Sequence, residues 1–431
     1  MPTQLTLHDG WTVRRVAGPV PDDVADAGPV LAAVPGTVHT DLLAAGLIPD
    51  PYLDDNENLL SWIGLTDWRY ETMFDWEPGD DDQVQLVFDG LDTVATVLLN
   101  RAVLARTANM HRTYRFDVHD RLREGTNLLA VTFDSAVRFA DQNSLNLGAR
   151  PHVNDHPFNA IRKMACNFGW DWGPDLVTAG IWRPVTLQSW RTARLAAVRP
   201  VVDVVGSSGT VDVHVDVERA DRAAPLEVVA RVGGAEASVS LGAGETSGVV
   251  SVSVGDVERW WPRGHGDQPL YDLVVTLGEQ ARPDDALDTW RRSIGFRTVR
   301  LVTEDDEHGT SFTFVVNDRP VFVKGVNWIP DDAFPHRVSR SRYADRLSQA
   351  AEAGVNLVRV WGGGIFEADD FYAECDARGL MVWQDFLFAC AAYSEEEPLR
   401  SEVIAEARDN VTRLMTHPSL VLWNGCNENI W

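Results

Sequence analysis

The chain has 431 residues and a formal net charge of −26 at pH 7, because 64 aspartate and glutamate residues outnumber 38 lysine and arginine residues. A hydrophobic share of 45% with a charged share of 24% is typical of a folded globular protein and excludes intrinsic disorder as the main state; the length allows about three domains. The acidic balance also argues against nucleic acid and anionic membrane surfaces as partners, since both bind basic protein surfaces.

Short alternating apolar runs in the first two-fifths of the chain predict antiparallel β-structure. Such runs occupy residues 84–100 and 114–133, and turn residues such as Gly90 and Asp92 interrupt them. This spacing favours a sandwich or jelly roll. A second β region begins at about Ala196, where every second residue from 211 to 217 is valine. Seven or so short strands in about 100 residues match an immunoglobulin-like sandwich.

After Leu301 the pattern changes to alternating strands and helices, which predicts a parallel sheet covered by helices. A strand pair at 312–316 and 321–326, around a turn at 317–320, precedes this region. The predicted elements that follow are a helix through 343–351, a strand at 356–360, a helix at 367–378, a strand at 380–383, a helix through 403–414 and a strand at 419–423.

Polar and aromatic residues follow four of these predicted strands. They are Asn327-Trp328, Trp361 with Gly362–Gly364, Gln384-Asp385, and Asn424 to Glu428. In a (β/α)₈ barrel the chemistry lies just past the carboxyl ends of the strands, so these positions predict one binding face. A complete barrel needs about 250 residues, and the chain from Leu301 onward has about half of that. We therefore expect half a barrel, in a chain that is a fragment or requires a partner.

Several segments resemble glycoside hydrolase family 2, and its β-mannosidases in particular. Asn167–Pro174, with the sequence NFGWDWGP, is similar to the segment that β-mannosidases extend into the barrel mouth. Lys324–Trp328 and Arg359–Gly364 resemble the first two barrel strands, and Trp423–Glu428 resembles the acid/base strand. The resemblance covers essentially the whole chain. It implies a jelly-roll sugar-binding domain over 1–193, an immunoglobulin-like sandwich over 194–299 and the N-terminal half of a (β/α)₈ catalytic barrel over 300–431.

The resemblance implies a retaining exo-glycosidase that releases terminal β-linked mannose, with Glu428 as the proton donor. Retention requires a second carboxylate, which the family places on the seventh barrel strand. The nucleophile is therefore absent from these 431 residues, and we expect the chain alone to have no glycosidase turnover. Two alternatives stay open. One is a family 2 enzyme acting on β-glucosaminides or β-galactosides, and the other is a non-catalytic carbohydrate-binding or scaffold protein.

The predicted substrate contacts surround Glu428. Asn427 is placed to bind the 2-hydroxyl, whose hydrogen bond strengthens in the transition state, and Asp171 offers two acceptor oxygens to sugar hydroxyls. The rings expected to face the sugar are those of Trp170, Trp172, Trp328 and Trp361. Without the resemblance, Trp170 and Trp172 would be assigned to the core, on one face of a strand.

Two charged residues near this face have alternative roles. Arg359 is predicted to support the charge of the catalytic carboxylates, since a buried arginine requires an anionic partner. Asp385 either binds substrate or caps the next helix. The triple glycine at 362–364 is better explained by close backbone approach than by phosphate binding, because no Walker lysine follows it.

The remaining features predict a protein without a cofactor or metal centre. The four cysteines are widely spaced, which argues against a disulfide framework and against a metal cluster. The N-terminus lacks the basic and apolar regions of a signal peptide, and no apolar run approaches about 18 residues, so we expect a cytoplasmic protein. The oligomeric state is left open, a homodimer included.

Overall fold

The computed structural model describes residues 2–429, except for the side chains of residues 283 and 284. Two β-sandwiches are followed by a pair of short hairpins and a unit of parallel strands and helices. Among the described residues, no helix combines the length and the apolar composition needed to cross a membrane.

The first sandwich packs a four-stranded sheet against a six-stranded sheet. Its strands are β1 Thr3–Thr6, β2 Thr12–Ala17, β3 Val30–Leu31, β4 Asp67–Trp76, β5 Gln83–Phe88, β6 Val94–Leu99, β7 Ala102–Ala108, β8 Tyr114–Asp117, β9 Gly125–Phe133, β10 Phe168–Trp170, β11 Gly173–Asp175 and β12 Val185–Trp190. Its helices are α1 Asp22–Asp26, α2 Val38–Ala44, α3 Asn56–Leu60 and α4 Ala136–Leu147.

The two sheets of this sandwich have the orders β1-β12-β5-β8 and β3-β2-β4-β9-β6-β7, and all their pairings are antiparallel. Alternate residues of β4, including Trp68 and Tyr70, are fully buried between the sheets. Since successive side chains of a strand point to opposite faces, this alternation supplies one apolar face to the core. Strands β10 and β11 lie outside both sheets and form a separate hairpin.

The second sandwich contains β13 Ala193–Val205, β14 Ser208–Arg219, β15 Leu226–Val232, β16 Ala235–Leu241, β17 Ser247–Val254, β18 Tyr271–Glu279 and β19 Arg282–Ile294. Its sheets have the orders β13-β14-β17 and β16-β15-β18-β19. The valines at 211, 213, 215 and 217 are all buried in its core, as their alternation predicts. Seven antiparallel strands in two sheets are the architecture expected of an immunoglobulin-like sandwich.

Short strands then lead into the parallel unit. They are β20 Val299–Val302, β21 Asp305–Asp306, β22 Gly309–Thr310, β23 Thr313–Val316 and β24 Arg319–Val321. The predicted strand pair forms, but its turn is shorter than predicted: β23 pairs with β24 around Asn317 and Asp318 alone, both at positive φ. The second strand begins at Arg319 and shares only Val321 with the predicted strand. The chain leaves the hairpin after Val321, and Gly325 begins a strand of a different sheet.

The parallel unit has the strand order β25-β26-β27-β28, with all pairings parallel. Its elements are β25 Gly325–Trp328, α5 Arg340–Glu352, β26 Leu357–Val360, α6 Asp369–Arg378, β27 Met381–Asp385, α7 Leu399–Leu414 and β28 Leu420–Asn424. Helix α6 begins two residues later than predicted, and it ends as predicted at Gly379, which has a φ of 70°. Glycine accepts this left-handed conformation without steric cost.

Both faces of the sheet are covered at its two central strands, β26 and β27, whereas most of β25 is exposed. Val358 and Val382 point toward the helices, while Leu357 and Met381 pack with Phe314 on the other face. Burial on both faces is typical of parallel sheets and explains why these strands are almost continuously apolar. The carboxyl ends of all four strands meet at one edge, which is where the sequence predicts the site.

Candidate active site

Polar side chains from the parallel strands converge on one side of the sheet. The register pairs Asn327 with Arg359 and Asp385 with Asn424. Arg359 donates hydrogen bonds from Nη1 to Asn327 Oδ1 at 3.2 Å and from Nη2 to Asp385 Oδ2 at 2.6 Å. These contacts place four polar groups in one network where the strands end.

Asp385 is the centre of this network. Its side chain has no solvent exposure, and its oxygens accept hydrogen bonds from Arg359, from Asn424 Nδ2 at 2.8 Å, from the Gly362 amide at 3.1 Å and from Trp383 Nε1 at 3.1 Å. Burial raises the pKa of Asp385, and the hydrogen bond from Asn424 and the charge of Arg359 oppose that shift. Both sequence-based roles for Asp385 are therefore wrong. Its oxygens are occupied and inaccessible to substrate, and it caps no helix.

Asn427 and Glu428 lie directly above this buried network. Arg359 Nη2 donates to Asn427 Oδ1 at 2.8 Å, and Asn427 Nδ2 donates to Glu428 Oε2 at 3.2 Å. The backbone of Asn427 is anchored by hydrogen bonds to Phe388 and Cys390, each 2.9 Å long. Asn427 is buried, whereas Glu428 is exposed and has a φ of 53°. A chain of contacts thus runs from Asp385 through Arg359 and Asn427 to the Glu428 carboxylate.

Cys390 also contacts Glu428, and sequence reasoning assigned it no role. Its Sγ donates to Glu428 Oε2 at 3.1 Å, and Asn427 Nδ2 lies 3.4 Å from the same sulfur. Burial and the hydrogen bond to Glu428 raise the pKa of the Cys390 thiol to about 12, so the thiol stays protonated and can donate. Nothing in the local sequence marks this cysteine, because it reaches Glu428 from the loop after β27.

Three tryptophans form an edge-to-face cluster beside this site. The ring centroid of Trp361 lies 4.9 Å from that of Trp170 and 5.4 Å from that of Trp172, with interplanar angles of 72° and 77°. Trp361 is buried and Trp172 is 43% exposed, so the cluster presents one open indole. Trp170 ends β10, whereas Asp171 and Trp172 form the turn before β11. The two rings therefore do not lie on one strand face; their centroids are 6.5 Å apart, and each also contacts Trp361.

Asp171 lies at the exposed tip of this β10–β11 turn. Its charge contributes to the raised pKa of the Cys390 thiol, which places it on the same side of the molecule as Glu428. The structure thus brings together residues that are more than 250 positions apart in the sequence. The first domain supplies the hairpin, and the parallel unit supplies Glu428.

The triple glycine is explained by close backbone approach, as expected from the sequence. A Cβ added at Gly362 would lie 2.5 Å from the carbonyl oxygen of Phe388, and one added at Gly363 would overlap the Trp361 ring. The Gly363 carbonyl also accepts a hydrogen bond from the Cys166 amide at 3.0 Å. Glycine is required here because the loop carrying Trp361 packs against two neighbouring backbones.

Trp328 does not belong to this site, and its assignment as a sugar-facing ring is wrong. It packs between the sheet and the helices, against Tyr343 and Phe371, and its Nε1 donates to Glu367 Oε1 at 2.9 Å. The physical reason is that successive side chains of a strand point to opposite faces of the sheet, so Trp328 faces the helices and Asn327 the other side. Asn327 is the residue of this strand that reaches Arg359.

The buried carboxyl that binds Trp328 should make stability depend on pH. Glu367 is buried and also accepts a hydrogen bond from Tyr343 at 2.5 Å. Burial raises the pKa of Glu367 from 4.5 to about 7. Because its pKa is higher in the folded protein than the value of 4.5 in the unfolded chain, protonated Glu367 contributes to the free energy of unfolding. This contribution is complete below pH 4.5 and is lost as the pH rises through about 7. Between pH 5 and pH 8 the wild-type protein should lose about 2 kcal/mol more unfolding free energy than Glu367→Gln does. Denaturant titration at the two pH values measures both losses. An identical loss in both proteins would contradict this.

Among residues 2–429, no group of three or more histidine, cysteine, aspartate or glutamate side chains could hold a metal ion. All four cysteines are free thiols. The chemistry available at the site is that of a hydrogen-bonded carboxylic acid beside an amide and aromatic rings. Such a set suits proton transfer to a sugar whose ring stacks on an indole.

Two protein-family models match the two sandwiches. Residues 11–183 match the model described as glycosyl hydrolase 2 galactose-binding domain-like, and residues 193–297 match the model of glycosyl hydrolases family 2. The chain belongs to glycoside hydrolase family 2. Its two family 2 domains correspond in order and extent to the two sandwiches, and the parallel unit that carries Glu428 follows them.

Individual relatives of this family 2 chain are β-mannosidases. The chain is 38% identical to the beta-mannosidase of Capra hircus and 39% identical to beta-mannosidase B of Thermothelomyces thermophilus, in each case over 99% of this chain and 50% of the relative. The crystal structure of beta-D-mannosidase from Dictyoglomus thermophilum matches with a TM-score of 0.91 and 36% identity, over 98% of this chain and 52% of that one. The chain thus spans about half the length of these relatives.

A more distant structure has the same fold. The exo-chitosanase of Amycolatopsis orientalis matches with a TM-score of 0.78 at 22% identity, over 98% of this chain and 49% of that chain. At this level of identity the match indicates shared architecture alone. The arrangement of the three parts therefore does not by itself identify a substrate.

Proposed function

We propose that the complete protein is a β-mannosidase-type retaining exo-glycosidase that releases terminal non-reducing β-D-mannose residues from oligosaccharides or glycoconjugates. The observation that carries this proposal is the position of Glu428. It is exposed, it is held by Asn427 and Cys390, and it lies at the end of the fourth parallel strand beside the tryptophan cluster. The sequence similarity to β-mannosidases over 99% of the chain supports mannose as the sugar.

Glu428 is proposed as the general acid and base. A glycosidic oxygen is a poor leaving group, so the acid donates its proton to that oxygen as the bond to the anomeric carbon breaks. A second carboxylate forms the glycosyl-enzyme intermediate, and Glu428 then removes a proton from the attacking water. Asn427 keeps the Glu428 carboxylate oriented throughout, because its own amide is fixed by Arg359.

The sugar contacts proposed for Trp172 and Asp171 follow from the exposure of these two residues. Trp172 offers the exposed indole on which a pyranose ring stacks, while Trp170 and Trp361 support that ring from behind. Asp171, at the tip of the same turn, offers two acceptor oxygens to sugar hydroxyls. Asn427 binds the 2-hydroxyl, which is axial in mannose, and this contact favours mannosides. Arg359 and Asp385 act as positioning residues beneath Asn427.

We also propose that residues 300–431 form the N-terminal half of a (β/α)₈ catalytic barrel, after a jelly-roll domain over 1–193 and an immunoglobulin-like domain over 194–299. Four parallel strands connected by helices support this, with polar residues collected at their carboxyl ends. The Dictyoglomus thermophilum structure, which this chain covers to 52%, supports it as well. The carboxylate nucleophile would then lie in the second half of that barrel.

The substrate is tested with a panel of 4-nitrophenyl β-glycosides and the complete protein. We expect the highest kcat/KM for the β-mannoside, with the β-glucosaminide and β-galactoside slower by at least tenfold. A preference for either of these would contradict the mannosidase assignment and leave the glycosidase assignment intact. Binding of mannosides without turnover of any glycoside would favour a carbohydrate-binding protein instead.

The contact between Cys390 and Glu428 leads to a prediction about the pH profile. The thiol donates to the ionised carboxylate and stabilises it, so Cys390→Ala should move the basic limb of the kcat/KM profile to higher pH. A hydrogen bond worth about 0.7 kcal/mol corresponds to a displacement of about half a pH unit. Cys390→Ser keeps a donor and is the matched control. An unchanged profile in Cys390→Ala, or the same displacement in both variants, would contradict this role.

A further inference from the structure

A cleft of about 740 Å³ lies at the junction of the two sandwiches and helix α7, and its charge is opposite to that of the chain as a whole. Seven arginines and two aspartates line it, whereas the complete chain has a net charge of −26. None of the residues that line it belongs to the network around Asp385, Asn427 and Glu428 or to the tryptophan cluster. The cleft is therefore separate from the candidate active site.

Four of these arginines have carboxylate partners that account for their charge. Arg194 pairs with Glu218 at 2.5 Å and Arg199 with Asp216 at 2.5 Å, both within the second sandwich. Arg292 and Arg413 share one carboxylate, that of Asp369, at 3.5 and 2.6 Å. These ion pairs give the four arginines a structural role, so their presence in the cleft does not require a ligand.

The other three arginines form no salt bridge within residues 2–429. Arg115 donates to the neutral Gln188 side chain at 2.8 Å. Arg183 donates to the Phe366 carbonyl at 2.9 Å, and its guanidinium lies 4.3 Å from the ring centroid of Trp182. Arg408 is exposed on α7 and lines the same cleft. The three residues come from three different parts of the chain and line one cleft, so helix or strand periodicity does not explain their shared location.

The surroundings leave this positive charge only partly balanced. Of the two aspartates in the cleft, Asp216 is engaged by Arg199, and Asp409 accepts a hydrogen bond from the Thr113 amide at 3.1 Å. Burial and the neighbouring Arg413 lower the pKa of Arg183 to about 10, and burial and Arg194 lower the pKa of Arg115; the nearby carboxylate of Asp89 opposes both shifts. With Glu218, Asp369 and Asp89 included, five carboxylates face the seven arginines. Gathered guanidinium groups of this kind recognise oxyanions, because their planar N–H donors fit phosphate and sulfate oxygens.

We propose that this cleft binds a multivalent oxyanion of the phosphate or sulfate class, held by Arg115, Arg183 and Arg408. One phosphate-type group offers several acceptor oxygens and at least two negative charges, which a guanidinium cluster on three chain segments satisfies. The bound anion would connect the first sandwich, through Arg115 and Arg183, with helix α7, through Arg408. The ligand therefore stabilises the arrangement of the domains, and it acts independently of the proposed glycosidase activity.

The test uses pyrophosphate as the probe, with the complete protein and calorimetric titration at constant ionic strength set by sodium chloride. We expect one binding site per chain and a higher midpoint of thermal unfolding. The double substitution Arg115→Gln with Arg408→Gln should weaken binding at least tenfold. The matched control is Arg300→Gln, an exposed arginine on β20 that lies outside the cleft and should leave binding unchanged.

Further arms identify the source of the anion. Binding of glucose 6-phosphate in place of pyrophosphate would assign the site to phosphate esters, and binding of pyrophosphate alone would assign it to free phosphates. The proposal is overturned if stabilisation follows ionic strength whatever the anion, or if the double variant binds as tightly as the wild type. Binding of citrate without any phosphate or sulfate would overturn the assigned class. We expect the double variant to keep the glycosidase activity of the wild type. A failure of the anion site can then be distinguished from a failure of the proposed function.

Discussion

In the complete protein, Glu428→Gln should lower kcat/KM for an aryl β-mannoside by about 10²–10⁴, the range contributed by a positioned general acid or base. Glutamine keeps the size of the side chain and its acceptor oxygen, so the contacts with Asn427 and Cys390 are retained in large part. It cannot supply a proton to the leaving oxygen or accept one from water. The loss should therefore appear in the chemical steps and leave folding unchanged.

The control is Glu352→Gln, which changes an exposed carboxylate at the end of α5 and should leave activity unchanged. Adding azide to Glu428→Gln should restore turnover and form a β-mannosyl azide, because azide attacks the glycosyl-enzyme intermediate without a general base. Activity of Glu428→Gln within a few-fold of the wild type would show that the acid and base lies elsewhere.

A second substitution should have its largest effect on stability. Arg162 and Glu406 form a two-bond ion pair of 2.6 and 2.9 Å, and both side chains are only 3% exposed. The pair joins the segment before β10 to the middle of α7. Glu406→Leu leaves the Arg162 guanidinium buried without its counter-charge, which typically costs about 3–5 kcal/mol. We expect a corresponding loss in the unfolding free energy from denaturant titration.

The double variant Arg162→Met with Glu406→Leu separates the charge from the packing. Removing both charges eliminates the unpaired buried cation, so we expect the double variant to recover a large part of the lost stability. The aliphatic methionine also preserves contact with the Phe388 ring, over which the Arg162 guanidinium now lies at 4.9 Å. A loss below about 1 kcal/mol in the single variant would contradict the prediction, as would a double variant no more stable than the single one.

Much of the fold was predictable because periodicity is local. The alternation of valines at 211–217 places one face of β14 in the core, and Gly379 ends α6 where the pattern indicates. The helix through 403–414 ends at Leu414, shortly before His417 and Pro418. Each of these depends on a few neighbouring residues and on backbone preferences that act over one turn or strand.

The site was predictable only in part, because its geometry depends on distant segments. The similarity to family 2 indicated the segments that carry Asn427, Glu428 and Trp361, and the structure brings Trp361 against Trp170 and Trp172. The roles of these residues at the site stay predictions. Trp328 and Asp385 were placed by their position at strand ends, and both assignments fail. Strand alternation sends Trp328 to the helix side of the sheet, whereas Asp385 is buried beneath Arg359 and its oxygens are occupied.

The sequence by itself therefore determined the order of the elements, the family and the segments from which a site would be built. Periodicity and motif spacing are properties of neighbouring residues in the sequence, so they can be recognised without knowing how the chain packs. Only the tertiary structure decided that Asp385 is buried under Arg359, that Cys390 reaches Glu428 and that arginines from three segments share one cleft. Those contacts join residues from different loops, strands and domains, and their distances are set by how the domains pack. The net charge of −26 accordingly describes the whole chain, and it does not describe the basic cleft between the two sandwiches and helix α7.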